Sequence, residues 1–410
     1  MAAVSAAVMA GGRGERLGVL GQGRAKSVLP FAGDNRLIDF VLSNCIQSGV
    51  SNIAILVQHE AASIASYLNQ GFRRVHSWSG ELRLCRGAPG GPREYLGTAH
   101  AVYMNLPTLL ERDPEAVLVL ASDHVYTMDY RQMIAYHRDH QADVTVGVVE
   151  VLASEASRFG MVTTNQEGRV LRFVEKPRTP LGNLASMSVY VFNPNILAER
   201  LAYDVWDPAS DHDFGRSILP RMVQTHRVYA FPFQGYWRDV GTIHAYWQAH
   251  MDMLQGLLQL PKGSAGPVPF GTATQRSLVY PGCVVEGMVQ SSVLFPGVRV
   301  DRDALVRDSV VLSGARIEAG SVVARAIVDE GACIGPSCYI GYGLSTESPT
   351  TGEEITVIGR QAVIPQGATI GQGSVVHPEV SPDDFASLVV RRGGEIAARH
   401  ERELAAQAAS

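Results

Sequence analysis

The chain has 410 residues, 46% of them hydrophobic and 18% charged, which excludes wholesale disorder and gives material for two or three domains. Its 35 basic and 40 acidic residues leave a net charge of −5, which excludes a protein built to lie along nucleic-acid backbones and keeps small anionic substrates open. Only three of the basic residues are lysines (Lys26, Lys176 and Lys262), so each lysine marks a place where a compact point charge is worth looking for.

The first ten residues are small and apolar. They carry no positive leader region, and Gly11-Gly12-Arg13-Gly14-Glu15-Arg16 follows at once, so Val4–Met9 reads as a buried first strand. Helix-like and strand-like segments then alternate. Residues 37–48 read as a helix with Ile38, Val41, Leu42 and Cys45 on one face, Asn52–Val57 as a strand and 61–68 as a helix. Ala116–Ala121 is a strand, 130–140 a helix and 143–149 a strand. Apolar strands alternating with helices predict a Rossmann-like α/β domain over 1–252, with a mostly parallel sheet covered on both faces and ligands at the carboxyl ends of its strands. The five cysteines are scattered without C-x-x-C spacing, which argues against a disulfide framework or zinc ribbon. No run of 18 apolar residues predicts a membrane span, and a cytoplasmic protein is the expectation.

Residues 253–276 are rich in proline and glycine and read as a linker. From 277 the period becomes six: Val300, Val306, Leu312; Val311, Ile317, Val323; Val328, Ile334, Ile340; and Ile358, Ile364, Ile370, Val376. A tandem six-residue apolar repeat predicts a parallel β-helix over 277–380, one short strand per face with the aliphatic side chains stacked inside. The repeat is interrupted by a polar loop at 343–354, and 381–410 reads as a tail with a charged helical pattern over 395–408.

The turn after the first strand carries chemistry. Its glycines let backbone amides approach phosphate, and Arg13, Arg16, Arg24 and Lys26 crowd the same segment, which points to a polyphosphate site. It is neither a P-loop nor a dinucleotide fingerprint, because no Gly-Lys-Ser/Thr follows and Leu17 stands where a third glycine would. Gly11-Gly12-Arg13-Gly14-x-Arg16-Leu17, Arg24-Ala25-Lys26 and Arg36-Leu37-Ile38-Asp39-Phe40 resemble the start of the bacterial ADP-glucose pyrophosphorylases, which are glucose-1-phosphate adenylyltransferases. The resemblance continues through Gly97-Thr98-Ala99, Asp123-His124-Val125-Tyr126, Phe159-Gly160, Glu175-Lys176-Pro177, Ala185-Ser186-Met187, His212-Asp213-Phe214-Gly215 and Trp237-Arg238-Asp239-Val240-Gly241. It covers essentially the whole chain, and implies that the β-helix is left-handed.

The implied reaction joins ATP and glucose 1-phosphate into ADP-glucose and pyrophosphate, the first step of glycogen or α-glucan synthesis. The attacking sugar phosphate is already an anion, so the task is to bring anions together and stabilise the leaving charge with cations and Mg²⁺. The resemblance makes Arg16, Lys26 and Asp123 catalytic, and Asp123 and Asp239 the Mg²⁺ carboxylates. It places Tyr95, Gly160, Glu175, Lys176, Ser186, Tyr190, Asp213, Phe214 and Trp237 at the sugar phosphate. Gly11, Gly12, Gly14, Gln58, Gly97 and Thr98 fall at the nucleotide. It assigns Arg24 and Arg36 to an allosteric site for phosphorylated metabolites and implies a homotetramer, with no nucleic-acid or membrane partner. The chain departs from the family pattern at Glu15 (usually Thr), Ser27 (Pro), Leu96 (Arg), His100 (Asp), Ser122 (Gly) and Ser188 (Gly), and Gly23 stands where many members carry an activator lysine. The alternatives are a catalytically silent regulatory subunit, a nucleotidyltransferase for another nucleotide or sugar phosphate, and an acyltransferase on the β-helix with His377 as base.

Overall fold

The computed structural model describes residues 3–12, 14–50, 52–72, 80–87, 94–179, 181–261, 263–268, 274–343 and 355–398. Arg13, Lys262, the polar loop from residue 344 to 354 and the sequence from 399 onward lie outside the described residues. By contacts the chain forms two compact units. The first comprises Met1–Arg13, Ala25–Val28 and Leu37–Trp237; the second comprises Gly14–Arg24, Leu29–Arg36 and Arg238–Ser410.

The first unit is built on one sheet. In spatial order its strands are Val170–Glu175, Gly160–Thr164, Leu184–Phe192, Ala116–Ala121, Val4–Met9, Asn52–Val57 and Glu81–Arg86. Val144–Glu150 also pairs with Leu184–Phe192 and carries Val228–Pro232 on its other side. From Ala116–Ala121 through Glu81–Arg86 the pairing is parallel, and each crossover carries a helix. Beyond Ala116–Ala121 the pairing turns antiparallel, apart from the Val144–Glu150 and Val228–Pro232 pair. Gly160–Thr164 and Val170–Glu175 form a direct hairpin, its turn closed by Gly168 N–H on the Asn165 carbonyl, and so short a turn cannot make a parallel crossover.

Side chains alternate across this sheet as a two-residue period requires. Ala7, Ala54, Leu56, Val117 and Val119 enter one core, and Ala6, Val8, Ile53, Ile55, Leu118 and Leu120 enter the other. Helix Leu37–Gln47 packs on the second side with Ile38, Val41, Leu42 and Cys45, the four residues its apolar face predicts. Register decides where the chemistry sits: Met9 pairs with Ala121, so the glycine turn after the first strand and the Ser122-Asp123 bend leave the sheet side by side.

The second unit contains three sheets of short parallel strands, the three faces of a β-helix. Through the middle coils, partners one coil apart are 17 residues apart in sequence, as in Val289↔Val306↔Val323↔Ile340. Three faces share 17 residues as six, six and five, so the inward row runs Val300, Val306, Val311, Ile317, Val323, Val328. The expected sixfold step to Leu312 is therefore corrected: Val311 points inward, and Leu312 starts the next turn with its N–H on the Val328 carbonyl. The expectation of a helical pattern from residue 395 also fails at its start. Val389–Val390 and Glu395–Ile396 extend two of the sheets, because Val390 and Ile396 continue the inward rows above Ile370 and Val376. Helix Ile243–Leu254 belongs to this unit, where the Trp247 indole N–H donates to the Asp308 carbonyl at 2.8 Å and His250 lies against Phe295. All five cysteines are free thiols, and no helix among the described residues is long and apolar enough to cross a membrane.

Candidate active site

In the first unit the site begins where the parallel strands end. Ala10 N–H donates to the Leu56 carbonyl, and a Cβ on Gly11 would touch the side chain of Gln58 at 3.4 Å, so Gln58 flanks the turn. Gly12 faces open space. On the neighbouring strand Ser122 Oγ donates to the Met9 carbonyl at 2.8 Å, which gives the serine found in place of glycine a defined job: it pins the bend that presents Asp123.

Lys26, only 7% exposed, places Nζ 2.5 Å from Asp123 Oδ2. Burial disfavours the Asp123 carboxylate, but the Lys26 ammonium and the neighbouring His124 outweigh it and hold the group well below the usual carboxylate range. An ionised, partly exposed carboxylate at the carboxyl end of a parallel strand is a hard oxygen donor, and it fits a divalent cation.

A second cluster surrounds Glu175. Added Cβ atoms on Gly160 and Gly215 would lie 2.8 and 2.6 Å from Glu175 Oε2, so both glycines make room for this carboxylate. Burial raises its pKa, and Asp213 adds to the effect while Lys176 opposes it. Lys176 Nζ lies 3.4 Å from Glu175 Oε1 and its side chain is half exposed. Its backbone has φ +46°, a left-handed conformation held in place by its N–H on the Phe159 carbonyl and followed by Pro177. The Tyr190 ring stacks on Phe214, Ser186 Oγ donates to Tyr190 Oη at 3.3 Å, and Trp237 sits edge-on between His124 and Phe159. The buried Trp237 indole N–H has no hydrogen-bond partner among the described residues, which leaves one donor for a ligand.

Gly97, Thr98 and Asp213 clasp one another. A Cβ on Gly97 would fall 2.3 Å from the His212 carbonyl, Thr98 Oγ1 donates to Asp213 Oδ2 at 2.9 Å, and Asp213 Oδ1 accepts from Gly215 and Arg216 N–H. Both Asp213 oxygens are thus engaged by the chain itself. Tyr95 is buried, with its hydroxyl on the Cys85 carbonyl and Asn105. His100, kept neutral by burial, accepts the Leu96 N–H at Nδ1 and closes the turn before helix Thr98–Met104.

In the second unit Gly14 has φ +70° at the head of the helical segment Glu15–Gly21. Arg16 and Asp239 converge on Gly241: a Cβ there would lie 2.9 Å from Arg16 Nη2 and 3.0 Å from each Asp239 carboxylate oxygen. Arg24 is buried, with Nη2 2.6 Å from Asp329 and Nη1 2.8 Å from Glu330, and Arg36 Nη1 reaches the other Glu330 oxygen at 3.2 Å. Sequence reasoning missed Asp329 and Glu330 because they lie about 300 residues from these arginines, within a β-helix turn that reads as repeat filler. It also missed Gly215 and His124, which sat inside quoted motifs without a role.

The nucleotidyl transferase family matches residues 5–256, and the GlmU-like C-terminal hexapeptide family matches residues 270–351. A glucose-1-phosphate adenylyltransferase of Thermotoga sp. (strain RQ2) is 41% identical, with 97% of this chain and 99% of the relative aligned. Those of Acetivibrio thermocellus and Bacillus cytotoxicus are 35% and 42% identical, over 96% and 72% of this chain and 98% and 83% of the relatives.

Proposed function

The chain belongs to the glucose-1-phosphate adenylyltransferase family, and on that premise we propose that it makes ADP-glucose and pyrophosphate from ATP and glucose 1-phosphate for glycogen synthesis. The observation that carries the reading is Lys26, one of three lysines in the chain, buried and paired with the carboxylate at the end of the central strand.

In this reading the turn at Gly11, Gly12 and Gly14 offers amides to the triphosphate, and Arg16 forks across the phosphates that leave as pyrophosphate. Lys26 reaches the transferring phosphorus as a point charge, exchanging Asp123 for phosphate oxygen. Asp123 and Asp239 would hold Mg²⁺. When bound, that ion neutralises charge on the phosphates and orients them for in-line attack. Gln58 flanks the base, while Gly97 and Thr98 shape the nucleotide side by fixing the Asp213 loop. Lys176 neutralises the sugar phosphate, Glu175 accepts sugar hydroxyls, and Tyr95, Gly160, Ser186, Tyr190, Phe214 and Trp237 form the surrounding wall, with the Trp237 indole donating. No group acts as a strong base, because the attacking phosphate oxygen is already anionic.

We also propose residues 1–252 as the catalytic domain, 253–276 as a linker and 277–380 as the body of the β-helix domain, which Val389–Val390 and Glu395–Ile396 carry on into the segment 381–410 before the tail. The working form in this proposal is a cytoplasmic homotetramer. A phosphorylated effector at Arg24 and Arg36 would have to displace the Asp329 and Glu330 carboxylates. Labelled glucose 1-phosphate tests the sugar side. Lys176→Ala should raise its KM about 10-fold or more, as losing a charged hydrogen bond does, and leave the KM for ATP within about twofold. Equal changes in both would contradict the assignment.

A further inference from the structure

We propose that His124 is a metal-ligating residue of this chain, with Nε2 joining the Asp123 carboxylate to give the divalent-cation site a nitrogen donor. The inference rests on reading Asp123 as a metal carboxylate.

Neighbouring residues in an extended strand send their side chains to opposite faces. Asp123 and His124 do not. The chain bends at Ser122-Asp123 before the strand His124–Tyr126, and the Ser122 hydroxyl pins that bend to the Met9 carbonyl. The two side chains therefore converge, with His124 Nε2 3.5 Å from Asp123 Oδ1. Lys26 takes the opposite oxygen, Oδ2, so Oδ1 on the histidine side is the oxygen turned toward a cation.

The other ring nitrogen fixes which atom faces the carboxylate. Nδ1 lies 3.0 Å from the Met187 carbonyl, which can only accept, so Nδ1 carries a proton and Nε2 is the nitrogen that a cation, displacing any proton held there, would take. Metal-binding histidines are held in this way, one nitrogen donating to a carbonyl or carboxylate and the other on the ion. The ring has little freedom to turn away: it is 8% exposed, and Trp237 packs edge-on at 5.1 Å and 77°. Asp123 and His124 also fall in a group of potential ligands whose donor atoms lie within 4.8 Å of one another.

An imidazole donor changes which ions the site prefers. Mg²⁺ favours oxygen ligands, whereas Mn²⁺ and Co²⁺ gain from imidazole nitrogen. The full-length protein without substrates is titrated with Mn²⁺, following the electron paramagnetic resonance of the free ion, and Mg²⁺ is measured by competition. His124→Gln, which offers an oxygen at similar reach, should weaken Mn²⁺ about 10-fold or more and Mg²⁺ less than about threefold. In the Mn²⁺-loaded wild type, spin-echo modulation from a coordinated imidazole nitrogen is expected, and this readout needs no variant to fold. Equal losses for both ions, no loss for either, or absent nitrogen modulation would overturn the assignment. Asp123→Asn separates the two levels. If it weakens both ions while His124→Gln weakens neither, only the histidine assignment falls; if Asp123→Asn weakens neither, the carboxylate reading falls with it.

Discussion

Removing the ammonium of Lys26 tests the pair at the heart of the site. At 2.5 Å and an effective dielectric constant of about 20, the bare attraction between Lys26 and Asp123 is about 7 kcal/mol. Withdrawing both groups from water cancels several kcal/mol of that, and the Asp123 side chain remains 33% exposed. A coupling of about 2 kcal/mol is what remains. Urea unfolding of Lys26→Met, Asp123→Asn and the double variant at pH 7 measures it as a thermodynamic cycle. The pH dependence has a definite sign. Asp123 titrates below its unfolded value of about 3.9, so its contribution is full above about pH 4 and is lost as pH falls through the lower folded value. The deficit of Lys26→Met should therefore be the same at pH 7 and pH 5 and shrink in stronger acid. Turnover should fall about 10²–10³-fold, the scale of losing one preorganised charge partner at a phosphoryl centre. A coupling below about 0.5 kcal/mol, or turnover within tenfold of wild type, would refute the reasoning.

Three further outcomes follow from the geometry. Ser188 has φ +53° inside the bulged strand Leu184–Phe192, so Ser188→Gly should raise stability by about 0.5–1 kcal/mol in urea melts; a loss would mean its side chain matters more than its backbone strain. Gly160→Ala drives a methyl to 2.6 Å from Phe173 Cζ and 2.8 Å from Glu175 Oε2, and should raise the KM for glucose 1-phosphate about 10-fold with the ATP KM little changed. Burial pushes His250 down to about 4, so the fold loses up to about 3 kcal/mol at this residue as pH falls from about 6.5 to 4, because only the unfolded chain takes the proton. His250→Phe, placed among Phe31, Tyr246 and Phe295, should flatten that acid limb, with His137 retaining its own share; an unchanged slope would contradict it.

Much of the architecture was legible because it is periodic. The apolar strands and the face of helix Leu37–Gln47 follow local patterning, and the β-helix follows its repeat. The exact six-residue step failed at Leu312 because a triangular coil of 17 residues must shorten one side, a constraint of closure that no single strand reveals. The antiparallel half of the first sheet was hidden because pairing direction depends on which strands meet.

The site was legible where rare residues or glycines announced it. Lys26 stood out through lysine scarcity, and the glycine turn through its place after the first strand. Glu175 gained its setting only in three dimensions, from Gly160 and Gly215, 55 positions apart and both cleared for one carboxylate. The serines at 122 and 188 looked like equivalent departures from glycine, yet one makes a hydrogen bond that glycine cannot and the other carries a backbone angle that glycine would take more easily. Sequence supplies the residue type; dihedral angle and partner decide whether it helps.

Pyrophosphate release from ATP, UTP, GTP, CTP and dTTP, each offered in parallel with glucose 1-phosphate and Mg²⁺, tests the central claim most directly. Strong turnover with ATP alone is the predicted result. Preference for another nucleotide, or no turnover with any of them even when phosphorylated metabolites are added, would contradict it.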